Sequence, residues 1–80
     1  MNRQTSGIKS AVRLTNRELD VIRLIARGCT YGQAAARLGV SLHTVTTHIK
    51  NCYRKLDVHS GAAAVMRAVE LRILGLETLR

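Results

Sequence analysis

Proline is missing from this 80-residue chain, as are phenylalanine and tryptophan, and only five residues carry a carboxylate. Without proline no helix is interrupted by a lost backbone donor. No stretch alternates β-branched and polar residues as a half-buried strand does. These two absences predict an all-α fold. No apolar run approaches the ~20 residues that cross a bilayer, and the opening MNRQTSGIKSAVR lacks the apolar stretch of a secretory signal. A chain that stays in the cytoplasm, with no membrane partner, is therefore expected. Cys29 and Cys52 share no CxxC spacing and match no zinc pattern, so they are expected to be reduced thiols acting as small hydrophobes. No metal or other cofactor is called for. Paired carboxylates, a nucleophile beside a base and a phosphate-cradling loop are all absent, which leaves no basis for an enzyme or a small-molecule site.

What the chain does have is positive charge. Thirteen Lys and Arg against five Asp and Glu give a formal net charge of +8, a balance that favours a polyanionic partner, nucleic acid first among them. Charge alone fits general solubility equally well, so the motifs must decide. The hydrophobic content of 46 % at this length fits one packed domain with a single core.

Capping signals divide the chain. Residues 1–13 are polar, basic and aperiodic, and read as a flexible arm carrying Arg3, Lys9 and Arg13. Thr15 with Glu18 forms a reciprocal capping box that opens a first helix, expected to run to Arg27 and stop at Gly28. Its apolar residues Leu19, Val21, Ile22, Leu24, Ile25 and Ala26 cover most of its circumference, which predicts a central helix with several neighbours. Thr30 with Gln33 repeats the box and opens a short helix ending at Leu38, before Gly39. Ser41 then caps a third helix closed by Asp57-Val58. Ser60 caps a fourth, predicted to reach Leu74 before Gly75. Residues 14–76 form the domain, and residues 77–80 a tail. A two-turn helix, a glycine turn and a capped longer helix make the helix-turn-helix pattern, in which the second helix of the pair enters a DNA groove.

Wound as a helix, residues 41–56 separate into two chemistries. Val45, His48, Ile49, Cys52 and Leu56 fall at the spacing of a buried stripe. His43, Thr46, Thr47, Lys50, Asn51 and Arg54 occupy the opposite stripe, which carries hydroxyls, an amide and cations but no carboxylate. Such a face can donate to phosphates and base edges without repelling either. Lys50 can donate to guanine O6 and N7, and Thr46 and Thr47 can bond either way or pack their methyls on thymine. Arg54 and Lys55, near the helix end, are expected to grip phosphate together with Asn51. Thr30 and Tyr31, with Ser41 and Thr44, stand at helix starts where hydroxyls and backbone N–H groups can meet phosphates. The plainer roles are an ordinary solvated lysine and simple caps. His48 is expected to be a core histidine bonded to a backbone carbonyl. On the fourth helix, Ala64, Val65 and Ala68 can line the core, while Ala62, Met66, Val69 and Ile73 form a second face that wants a partner.

The segments LTNREL at 14–19, Gly28, AARLGVS at 35–41, Thr44-Val45, His48 and RKLDV at 54–58 together resemble the LuxR-type helix-turn-helix domain of bacterial response regulators and quorum-sensing regulators. The resemblance covers Leu14 to about Leu74. It implies a four-helix domain with its third helix in the major groove, base contacts at Thr46, Thr47 and Lys50, and a C-terminal dimerisation helix. Double-stranded DNA, a second copy of the chain, and RNA polymerase are the partners expected of such a transcription regulator. The chain departs from the family pattern at Gly32, Ala34, Thr46 and Gly61, and the first two predict a loosely packed second helix. Two alternatives remain open: a protein-interaction module that sequesters another regulator through the fourth helix, and a sigma-factor-like promoter recognition region.

Overall fold

In the computed structural model, which describes residues 12–79, the order is α1 (Asn16–Ala26), α2 (Tyr31–Leu38), α3 (Leu42–Leu56), α4 (Gly61–Glu70) and a single 3-10 turn over Leu76–Leu79. No strand occurs among the described residues. Each α-helix begins on a hydroxyl residue that accepts from the backbone N–H three residues on. Thr15 accepts from Glu18, Thr30 from Gln33, Ser41 from Thr44 and Ser60 from Ala63, at 3.0–3.1 Å. In the first two the bond is returned, since Glu18 and Gln33 accept from the backbone N–H of Thr15 and Thr30 at 2.9 Å. Each cap satisfies a donor that the helix itself leaves unpaired.

The helix ends differ in kind. After α1 and α2 the chain turns on Gly28 (φ 94°) and Gly39 (φ 68°), left-handed conformations that glycine adopts without a Cβ clash. After α3 and α4 it turns on Asp57 (φ 58°) and Arg72 (φ 63°). The last of these corrects the sequence expectation. Helix α4 stops at Glu70, not Leu74, because Arg72 reverses the chain and the N–H of Ile73 returns to the Ala68 carbonyl at 2.8 Å. Ile73 and Leu74 keep the apolar character that suggested a longer helix, but they reach the core from the turn.

Helix α1 is the hub and packs against α2, α3, α4 and the 3-10 turn. Its adjacent residues Val21 and Ile22, both fully buried, point about 100° apart and enter different clusters. Val21 packs with Ala34, Ala35, Val45 and Ile49 beneath the helix-turn-helix pair. Ile22 packs with Leu56, Val58, Ala64, Val65, Ala68 and Leu74 toward α4. Tyr53 lies against both clusters. Helix α2 is closely seated, contrary to the looseness expected of it, since Ala34 is 0 % exposed and lets the helices approach. Gly32 faces open space, with only the Thr30 hydroxyl within 4 Å of where a Cβ would stand. Of the arm, residues 1–11 lie outside the described residues, and Val12 packs against the larger cluster. Of the tail, residues 77–79 belong to the 3-10 turn and residue 80 lies outside the described residues.

Candidate nucleic-acid interface

Helix α3 is fixed by its inner edge. Val45, Ile49, Cys52 and Leu56 are buried, and burying each large aliphatic stabilises by roughly 1.5–3 kcal/mol. Cys52 is held as a neutral thiol. Burial, with the Glu18 charge added, pushes it up to about 12, and its Sγ lies 3.7 Å from the Glu18 carbonyl oxygen. His48 is half-buried, but its ring makes no hydrogen bond among the described residues, so the expected bond to a backbone carbonyl is not found.

With that edge buried, the outward residues follow from helix geometry. His43, Thr47, Lys50 and Arg54 are exposed, and Thr46 and Asn51 are half-exposed between them. No acidic side chain occurs along the helix. Among the described residues, Lys50 and Arg54 make no ion pair, whereas Glu18, Asp20 and Glu70 are each bound to a cation elsewhere. The face therefore keeps its positive charge. Its polar groups are also ordered. The Thr46 hydroxyl donates to the Leu42 carbonyl at 3.0 Å and the Thr47 hydroxyl to the His43 carbonyl at 3.1 Å. Arg54 Nη2 donates to Asn51 Oδ1 at 2.9 Å.

Lys55, also expected to grip phosphate, is set apart from this face by an ion pair. Its Nζ lies 2.7 Å from Oε1 of Glu18, which is 3 % exposed. A lysine on that edge of α3 lies beside α1 and stays part-exposed. Burial alone would raise the Glu18 carboxyl, but the Lys55 bond and charge and the Thr15 N–H bond outweigh it and hold the group below its ordinary range. Glu18 thus caps α1 and anchors α3 to it, a second duty linking residues 37 positions apart.

The remaining expected backbone contacts stand near helix starts. Thr30 is exposed and its hydroxyl is held by the α2 cap. Ser41 Oγ and Thr44 Oγ1 are 2.9 Å apart, which ties the first turn of α3 together. Tyr31 is half-buried, with its hydroxyl 3.1 Å from that of Tyr53, a seam between α2 and α3. Burial and that hydrogen bond push the Tyr53 phenol up to about 12. Sequence reasoning did not single out Leu42, which opens α3 at 55 % exposure. Its place one turn before Thr46 was the available signal. On α4, Ala62 and Met66 are exposed, Met66 by 50 %, while Val69 and Ile73 pack partly against the core. The four residues do not form one open stripe, because the helix ends before Ile73.

The family described as bacterial regulatory proteins, luxR family, matches residues 12–68. Curated relatives are similar over the same region. A nitrate/nitrite response regulator protein homolog of Haemophilus influenzae is 51 % identical over 53 residues, which is 66 % of this chain and 26 % of the relative. The uncharacterized response regulatory protein YgeK of Escherichia coli is 41 % identical over 69 residues, 86 % of this chain and 47 % of the relative. The transcriptional activator protein CarR of Pectobacterium carotovorum is 42 % identical over 60 residues, 75 % of this chain and 25 % of the relative. The chain thus spans from a quarter to about half the length of these relatives.

Proposed function

This chain belongs to the luxR family of bacterial regulatory proteins, and from that premise we propose that it regulates transcription by binding specific duplex DNA in the cytoplasm, without catalysis. Helix α3 enters the major groove, Thr46, Thr47 and Lys50 meet base edges, and Thr30, Tyr31, Ser41, Thr44, Asn51 and Arg54 meet the backbone. The observation that carries this reading is the outward face of α3, cationic, hydroxyl-bearing and free of carboxylates over fifteen residues. Such a surface pairs with phosphate and with the hydrogen-bonding edges of the major groove together.

Two copies bind a palindromic site through α4, with recognition helices about 34 Å apart in successive major grooves. The exposed Ala62 and Met66 support this arrangement. RNA polymerase is a further partner of the bound dimer.

Selection of bound sequences from a random duplex library at two salt concentrations tests the reading, because phosphate grip weakens steeply with salt and base readout persists. An enriched palindrome at the higher salt is expected. Enrichment that disappears with salt would leave a merely basic domain. On the selected site Lys50→Ala costs about 1–3 kcal/mol, with a much smaller loss on random DNA; equal losses on both would assign Lys50 to phosphate.

A further inference from the structure

Both threonines of the reading face have already committed their protons. The Thr46 hydroxyl donates to the Leu42 carbonyl and the Thr47 hydroxyl to the His43 carbonyl, each four residues back along the helix. A hydroxyl has one proton and two acceptor lone pairs. With the proton engaged in the helix, each threonine offers the groove an acceptor and a methyl, and no donor. Asn51, the side chain type suited to adenine because it donates to N7 and accepts from N6 together, has its Oδ1 already accepting from Arg54. One lone pair of that oxygen is thereby engaged, and the amide donors, beside the Arg54 guanidinium, suit phosphate. Lys50 is a donor without acceptor capacity.

Resting on the reading above, we infer that Thr46 and Thr47 are acceptor-only readers of A·T base pairs, set beside a guanine read by Lys50. Of the major-groove edges, adenine and cytosine alone present an amino donor, at N6 and N4, and thymine alone presents a methyl. An A·T pair supplies both the donor for the threonine oxygen and an apolar partner for the threonine methyl. A G·C pair supplies the cytosine donor without the methyl, and sets guanine O6 and N7 beside an oxygen that has no proton left to give. The A·T preference thus follows from where the two protons go. Thr46 and Lys50 are four residues and about 6 Å of helix rise apart. The guanine therefore lies within about two base-pair steps of the A·T pairs.

The test uses the full chain and the duplex found by selection, carrying single-base analogues at its A·T positions. Purine in place of adenine removes the N6 amino group and keeps N7; 7-deazaadenine does the reverse; uracil in place of thymine removes the methyl. Purine is expected to weaken binding roughly three- to tenfold, the scale of one hydrogen bond. Uracil is expected to weaken it less, and 7-deazaadenine to leave it unchanged. Thr47→Val, which keeps a methyl and loses the oxygen, should abolish the purine effect at one position and keep the uracil effect. A loss with 7-deazaadenine and none with purine would make the threonines donors and overturn the inference while leaving DNA reading intact. A selected site with no A·T pair within about two steps of the Lys50 guanine would also overturn it. If no duplex is enriched, the DNA-reading function itself fails.

Discussion

The two clusters on either side of α1 are built to different rules. Toward α4 the buried residues include Ile22, Leu56, Val65 and Leu74 beside the α4 alanines Ala64 and Ala68, with Val12, Leu14 and Leu71 packed around them. Beneath the helix-turn-helix pair they include two alanines, Ala34 and Ala35, between Val21, Val45 and Ile49. The first cluster holds buried leucines, and the second has none, so its two alanines are a larger share of a smaller core. Small side chains there bring α2 against α3, and the Tyr31 and Tyr53 hydroxyls meet at the α2–α3 contact. The two sides of one helix thus pack by different rules.

The comparison breaks most visibly at Ile22. Ile22→Ala opens a cavity in the voluminous cluster and should cost about 2–5 kcal/mol, read as a lower midpoint in denaturant. On the opposite side the sensitive direction is enlargement. Ala34→Leu should cost about 1–3 kcal/mol, because a fully closed site cannot take three more carbons without parting α2 from α3. A result in which Ala34→Leu is neutral would erase the distinction between the clusters. Glu18→Gln, at the link between α1 and α3, should cost about 1–3 kcal/mol at neutral pH through the lost charge-assisted bond to Lys55. The same pair sets an acid limit. The Glu18 carboxyl titrates lower in the folded chain than its ordinary 4.5, so the folded state binds fewer protons there than the unfolded state. The contribution is complete above that ordinary value and is lost as pH falls through the lowered one. Glu18→Gln should flatten this acid slope in denaturation curves taken across the range. The smallest effect is a gain. Arg72→Gly relieves a left-handed residue and should raise stability by about 0.5–1 kcal/mol after glycine's own entropy is charged.

The sequence was most legible where the chemistry is local. All four N-caps stand as Thr15, Thr30, Ser41 and Ser60, and two of the helix ends as Gly28 and Gly39, since each needs only neighbours within three or four residues. The outward face of α3 was legible for the same reason, because helical periodicity alone separates Lys50 from Ile49. The end of α4 was not. Arg72 has no intrinsic preference for a left-handed turn, and Ile73 and Leu74 continue the apolar pattern past it. Nor was the Glu18–Lys55 pair, which joins residues 37 apart. Lys55 looks like any other lysine at the end of a basic helix until α1 is packed beside it. The back-bonded threonines lie between these cases, because bonding to the carbonyl four residues earlier is a local option for threonine that the periodicity alone does not single out.

The seam between α2 and α3 gives the molecule a built-in optical probe. The chain has two tyrosines and no tryptophan, and both phenols are in that one contact, 3.1 Å apart. Near-ultraviolet absorbance and emission therefore report on the helix-turn-helix joint alone, without labels. Burial and the hydrogen bond to Tyr31 push the Tyr53 phenol up to about 12, so its ionisation and the parting of the joint are linked.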